Sequence, residues 1–377
     1  MDQRLSLSPC SDLSDAPSDI TISVHMPLSM QEKLDLYQPS TPDDDAVKVL
    51  RETFRYLPAD GRVNLVSDVT GCETDTHLKQ LAESIVSGIL VPLKAMGKKA
   101  QITPSPRSNA QEAVDSTSIA MTDPIVREQQ RLRRECLQRE GNRCAVSGVY
   151  NAEHMATAPS NVITANLEAA HVIPFALGIF KNENERQRIA TIWTYLHRYF
   201  PCLLSRIGFD YESLNKVENV MMLEKLLHGE FGAFNWTLEA TETVNYYTIK
   251  TFPRLPTILQ FHLPANRSIQ LKSHDGRWPL PDPSLLAVHA AIANILNATG
   301  RGEEIDRILR DYGESGGLSA DGRTDVSQLL SVSDLAVLAS SWKPNIDLSP
   351  LKSRSSPTMK HPNKGDTFHY NVQEKEN

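Results

Sequence analysis

Two histidines and an asparagine lie in apolar surroundings, where a polar side chain is costly unless it is paired or put to use. His171 follows Glu-Ala-Ala and precedes Val-Ile-Pro. Asn219 opens Asn-Val-Met-Met-Leu. His228 closes Leu-Leu-His ahead of Gly-Glu-Phe-Gly. Taken singly, each reads as a hydrogen-bonded core residue. In the order His, Asn, His they hold the parts of a hydrolytic site. An imidazole titrates near neutral pH and can take a proton from water. An amide or carbonyl can hold that ring in one orientation. A second imidazole can ligate a divalent cation, which offsets the charge that builds on phosphate oxygens as a P–O bond breaks.

A second feature bears on phosphate chemistry. Arg127, Arg131, Arg133, Arg134, Arg139 and Arg143 fall in one short stretch with three glutamates. Asp123-Pro124 before it is a helix start, with proline at the first helical position, and Gly141-Asn142 is a stop. Such a run is usually a solvated helix face. Its other reading is a surface that tracks a nucleic-acid backbone.

Three segments carry a family resemblance: Cys-Ala-Val-Ser-Gly at 144–148, Leu-Glu-Ala-Ala-His-Val-Ile-Pro-Phe at 167–175, and Glu-Asn-Val-Met-Met-Leu-Glu-Lys-Leu-Leu-His-Gly-Glu-Phe-Gly-Ala-Phe at 218–234. Together they resemble the HNH endonucleases, and most closely the branch common in uncharacterised fungal proteins. The resemblance spans 143–252. It implies a ββα-metal finger, two antiparallel strands and a helix. It makes His171 the general base, Asn219 the residue that orients it, and His228 a metal ligand on the helix. It also implies DNA as substrate, with RNA as an alternative. The implied cofactor is Mg²⁺ or Mn²⁺, with Zn²⁺ or Ni²⁺ as alternatives, and no organic cofactor.

Two positions depart from the family pattern. Ala170 stands where many members have an Asp or His ligand immediately before the base. Gly232 stands where many have a His or Asp four residues after the helix histidine. That leaves one firm ligand, with Glu168, Glu218 and Glu230 available to support it. Odd spacing puts Glu168 on the strand face opposite His171, so Glu230 is the preferred second ligand. Cys144 has no CxxC partner, which argues against a structural zinc, and it reads as a small buried residue.

The elements that must position these residues can be read coarsely. Cys144–Gly148 reads as a short strand and a turn, and Asn166–Phe175 as a second short strand able to pair with the first. Val220–His228 is apolar at helical spacing. Asn182–Phe200 is a helix inserted between the histidine strand and Asn219, and His197 within it reads as structural. Thr237–Phe252 reads as two strands around a polar turn. Ser284–Asn297 is a helix stopped by Gly300, and 303–312 a shorter one. Upstream, Val47, Leu50, Phe54 and Leu57 form a helical stripe ended by Pro58 and Gly61. A second amphipathic helix covers 75–91 before Pro92. Trp236, Phe231 and Phe234 read as core residues behind the site. His154, His262, His274 and His289 have no ligand-like partners at useful spacing.

The resulting division is 1–42 disordered, 43–98 helical, 99–122 linker, 123–315 nuclease-like and 316–377 a mostly disordered tail. The fold class is α+β. The net charge of −7 over 377 residues excludes a uniformly basic nucleic-acid coat, so any phosphate-binding surface is local. Five scattered cysteines form no disulfide framework, which points to a reducing compartment, cytoplasmic or nuclear. No apolar run reaches the roughly 18 residues of a membrane span, and no secretory signal is recognisable. The expected activity is metal-dependent hydrolysis of DNA phosphodiesters. The alternatives are a catalytically degenerate domain that binds nucleic acid or protein, and a scaffold in which the finger is only structural.

Overall fold

Residues 25–95, 105–107, 109–121, 129–157 and 161–307 are described by the computed structural model. The tail at 316–377 and Arg127 fall outside them.

The N-terminal half is a set of packed helices. α1 (Leu28–Leu36) buries Met30 and Leu34, one turn apart. Disorder is expected there from composition; two apolar residues at i and i+4 are too short a stripe to register against Ser, Pro and Asp. α2 (Ala46–Tyr56) buries Val49, Leu50, Thr53 and Phe54. Pro58 ends it, but Gly61 does not act as a stop. It lies inside α3 (Ala59–Gly71), where a Cβ would meet the Tyr199 carbonyl oxygen at 2.0 Å. Its small size permits a close helix crossing. α4 (Asp75–Ile85) starts at Thr74, whose side chain accepts the His77 N–H. It runs on through a π-helical turn, Val86–Leu90, into α5 (Val91–Lys94). Pro92 therefore does not break the chain; the wider turn before it accommodates a residue with no N–H and a bulky ring. α6 (Ala110–Ala120) occupies the stretch expected to be linker.

α7 (Gln129–Arg139) leads into the second half. Residues 144–148 form a turn rather than a strand. Short β1 (Tyr150–Asn151) and β2 (Thr164–Ala165) pair in parallel. β3 (Leu167–His171) pairs antiparallel with β4 (Val220–Glu224), with Leu167 opposite Glu224 and His171 opposite Val220. The expected pairing of 144–148 with the histidine strand is thus replaced. The Ala145 N–H reaches the sheet, donating to the Met222 carbonyl at 2.8 Å. β4 is buried at every position. A strand buried on both faces has no alternation, and over five residues it cannot be told from a helix by period. The helix begins only at Lys225, as α10 (Lys225–Gly232).

Between β3 and β4 lie α8 (Glu183–Tyr199) and α9 (Cys202–Ser205). α8 is capped by Asn182, which accepts the Glu185 N–H. His197 on α8 bonds the Phe209 carbonyl oxygen, and burial lowers its pKa. β5 (Trp236–Ala240), β6 (Tyr246–Thr251) and β7 (Ser268–Gln270) form an antiparallel sheet. α11 (Pro283–Thr299) is capped by Asp282 and ends at Gly300 with φ +82°. Positions 301–307 are helical. One apolar core runs from Met30 to Ile305 and includes both halves.

Candidate active site

β3, β4 and α10 form a ββα unit, and it carries His171, Asn219 and His228. Asn219 ends a 3-10 turn at the mouth of β4 and is fully buried. Its Oδ1 accepts the Ile173 N–H at 2.9 Å. Its Nδ2 donates to the carbonyls of Ile173 and Leu214, both at 2.9 Å. Its own carbonyl accepts the Val172 N–H at 2.8 Å. Asn219 thus holds the backbone just beyond His171. The ring of His171 is held by another amide: Asn215 Oδ1 lies 3.2 Å from His171 Nε2. The Phe175 ring stands 5.5 Å away, centroid to centroid. An amide oxygen accepts, so Nε2 is the donor in this contact. Sequence reasoning missed Asn215, because nothing distinguishes it within the polar loop before Asn219.

His228 projects from α10, and its Nδ1 lies 2.8 Å from Glu168 Oε2 on β3. The preferred partner from sequence, Glu230, is engaged elsewhere: its Oε2 accepts from Asn235 Nδ2 at 2.6 Å. Strand alternation explains the switch. Glu168 and Ala170 share one face of β3 and His171 takes the other. The contact with His228 shows that α10 covers the face of Glu168. Odd spacing from His171 is therefore what brings Glu168 to the helix histidine, and no bulge is needed. The same alternation puts Ala170 on that face, where it offers only a methyl.

Among the described residues, no group of three or more His, Cys, Asp or Glu side chains is arranged to hold a metal ion. Among the described residues of the unit, the candidate donor is one imidazole nitrogen, Nε2 of His228. The Nδ1–carboxylate contact fixes its tautomer, as outer carboxylates do for metal-binding histidines. This donor set fits a cation that keeps most of its shell as water and phosphate oxygen.

The arginines of α7 divide. Arg131 and Arg134 face solvent, with Arg131 bonded to Glu135 on its own helix. Arg133 donates to the Leu167 carbonyl and pairs with Glu153 at 2.9 Å. Arg143 is exposed and bonded to Tyr150, with its guanidinium over that ring. Arg139 corrects the expectation of a phosphate contact. It is completely buried, and it donates to the carbonyls of Val217 and Val220 on either side of Asn219, and to that of Pro279. It clamps the strand that carries the site. Its neighbour Glu140 is raised to about 7 by burial, against the pull of the Arg139 charge.

Cys144 is buried, and burial raises its thiol pKa. Trp236, Phe231 and Phe234 are buried, and Trp236 donates to the Leu227 carbonyl of α10 at 3.0 Å. His289 stacks on Phe231 and Phe234. His262, which has no ligand-like partner at useful spacing in the sequence, lies 3.1 Å from both carboxylate oxygens of buried Glu224. No helix among the described residues is long and apolar enough to cross a membrane.

Residues 144–239 match the family model of the HNH endonucleases. No curated protein and no solved structure matches the chain. The matched span opens at Cys144 and closes within β5, so it contains His171, Asn219 and His228 but neither α7 nor His262.

Proposed function

We propose, from the match of residues 144–239 to the HNH endonucleases, that the chain hydrolyses phosphodiester bonds of DNA with the help of a divalent cation. The observation that supports this reading is the ββα unit itself, in which β3 ends at His171, α10 carries His228 on the other face of the strand, and Asn219 is buried at the mouth of β4. In the proposed reaction, Nδ1 of His171 takes a proton from the attacking water. Asn215 keeps Nε2 protonated and the ring in place. Asn219 locks the strand end, so that the base does not drift from the scissile phosphate. Positioning at this level matters because small displacements cost rate steeply.

His228, backed by Glu168, is the residue that would hold the cation. HNH nucleases generally use such an ion, and its chemistry is to neutralise charge on the phosphate oxygens. Arg131, Arg134 and Arg143 offer exposed charge for the nucleic-acid backbone. A second reading, a degenerate domain that binds without cutting, is favoured by Ala170 on the α10 face and by Gly232.

Metal-dependent nicking of plasmid DNA tests the proposal. The full chain should nick with Mg²⁺ or Mn²⁺ and stop when the ion is chelated. His228→Ala should require a higher ion concentration, with partial rescue by excess Mn²⁺. Binding of DNA without cleavage under Mg²⁺, Mn²⁺, Ni²⁺ and Zn²⁺ would decide for the degenerate reading.

A further inference from the structure

Outside the matched span, the chain returns to the site through a 3-10 turn, Thr257–Phe261. The turn is pinned at two points. Leu259 is buried in the core, and His262, just after the turn, has its Nδ1 3.1 Å from both oxygens of Glu224. Glu224 is the last residue of β4 and the N-cap of α10, four positions before His228. It is itself buried, with both carboxylate oxygens turned to His262. The turn is therefore fixed to the strand–helix junction that presents the candidate metal ligand.

What the turn displays does not suit water. Phe261 is 82% exposed and Ile258 64%. Residues three apart eclipse on a 3-10 turn, so the two side chains share one side. At the junction, Leu226 is 58% exposed, and the Lys225 side chain is 73% exposed. The Lys225 ammonium lies 4.0 Å from Glu168, too far for a hydrogen bond. One aromatic and a few aliphatic side chains are too little surface for a stable protein interface, which needs about 1,000 Å². An isolated aromatic on a turn tied through His262 to Glu224, the residue before Lys225, matches a different target. Nucleic-acid-binding proteins press such side chains onto bases or into base steps and set basic groups on the flanking phosphates.

We propose that the Thr257–His262 segment is a second DNA-contact element, in which Phe261, with Ile258 beside it, packs against bases of the strand held at the HNH site while Lys225 meets its backbone. The proposal rests on the nuclease reading and adds a contact that the HNH segment does not contain. His262 acts as the positioning residue that ties the turn to Glu224.

The test is binding of fluorescein-labelled single-stranded and duplex DNA by the full chain, with EDTA present to keep the DNA intact. Phe261→Ala should weaken binding to at least one form by roughly 5- to 150-fold, the range found when a base-stacking aromatic is removed. Phe261→Trp should retain binding. The salt dependence should stay as in the wild type, because no phosphate contact is lost. The exposed position of Phe261 means that the thermal melt should not move. Unchanged affinity of Phe261→Ala for both forms, beside a wild type that binds, overturns the proposal and leaves the nuclease reading standing. So does loss of self-association, seen by sedimentation, with DNA affinity intact. A wild type that binds neither form removes the nuclease reading itself, and this contact with it.

Discussion

Asn219 makes three side-chain hydrogen bonds in a site closed to solvent. It is the only side-chain type that can accept from one backbone group and donate to two others in so short a reach. Asn219→Asp replaces both donors by an acceptor and leaves two buried carbonyls unpaired. Each such loss costs about 1–3 kcal/mol, so the variant should be less stable by roughly 2–6 kcal/mol in urea unfolding and should lose cleavage with it. A variant as stable as the wild type would show that the asparagine does not fix the strand end. The order of His, Asn and His was legible in the chain because three polar residues interrupt apolar runs. Their partners were not. Asn215 lies in a polar loop where an asparagine is unremarked, and Glu168 was set aside on the assumption that metal and base share one strand face.

At the scale of elements, α7 shows how far charge counting goes. Six arginines read as one patch, yet burial separates Arg139 from Arg131, Arg134 and Arg143. Neutralising those three exposed residues should flatten the salt dependence of DNA binding, with a log–log slope change of up to about three on duplex. Arg139→Met should leave the slope alone and lower stability, because three carbonyls lose their donor. An unchanged slope in the triple variant would return α7 to the class of plain solvated helices. Long helices were legible from their periodicity but their caps were not: Ser284 reads as the cap of the last one, whereas Asp282 fills that place and accepts the Ser284 N–H, and Asn182 caps α8. β4 was not, since a strand buried on both faces carries no period. Nor was the passage through Pro92, since the relief comes from a π-helical turn that leaves no mark in the sequence.

For the molecule as a whole, the shared core couples the helical half to the site. Lys94 of α5 is buried, donates to the Ala233 carbonyl behind α10, and pairs with Asp306 at 2.9 Å. α11 backs the same helix through His289, which is bonded to the Phe231 carbonyl and to Thr237. Burial lowers the pKa of His289 to about 3. Its neutral form stabilises the fold fully above about pH 6.5, the value of an unfolded histidine, and that contribution is lost as pH falls from there towards 3. Urea unfolding of the wild type should therefore lose about 1.4 kcal/mol per pH unit across that window from this group alone. His289→Leu should remove that part of the slope; an equal slope in both proteins would assign the acid sensitivity elsewhere. The central claim, that His171 is the base of a working nuclease, is tested most directly by single-turnover cleavage of DNA by the full chain with Mg²⁺ or Mn²⁺, comparing the wild type with His171→Ala and measuring DNA affinity alongside. The prediction is a loss of about 10²–10⁴-fold in rate with affinity nearly unchanged, since only an interaction of the transition state is removed. Cleavage by His171→Ala at the wild-type rate would contradict it.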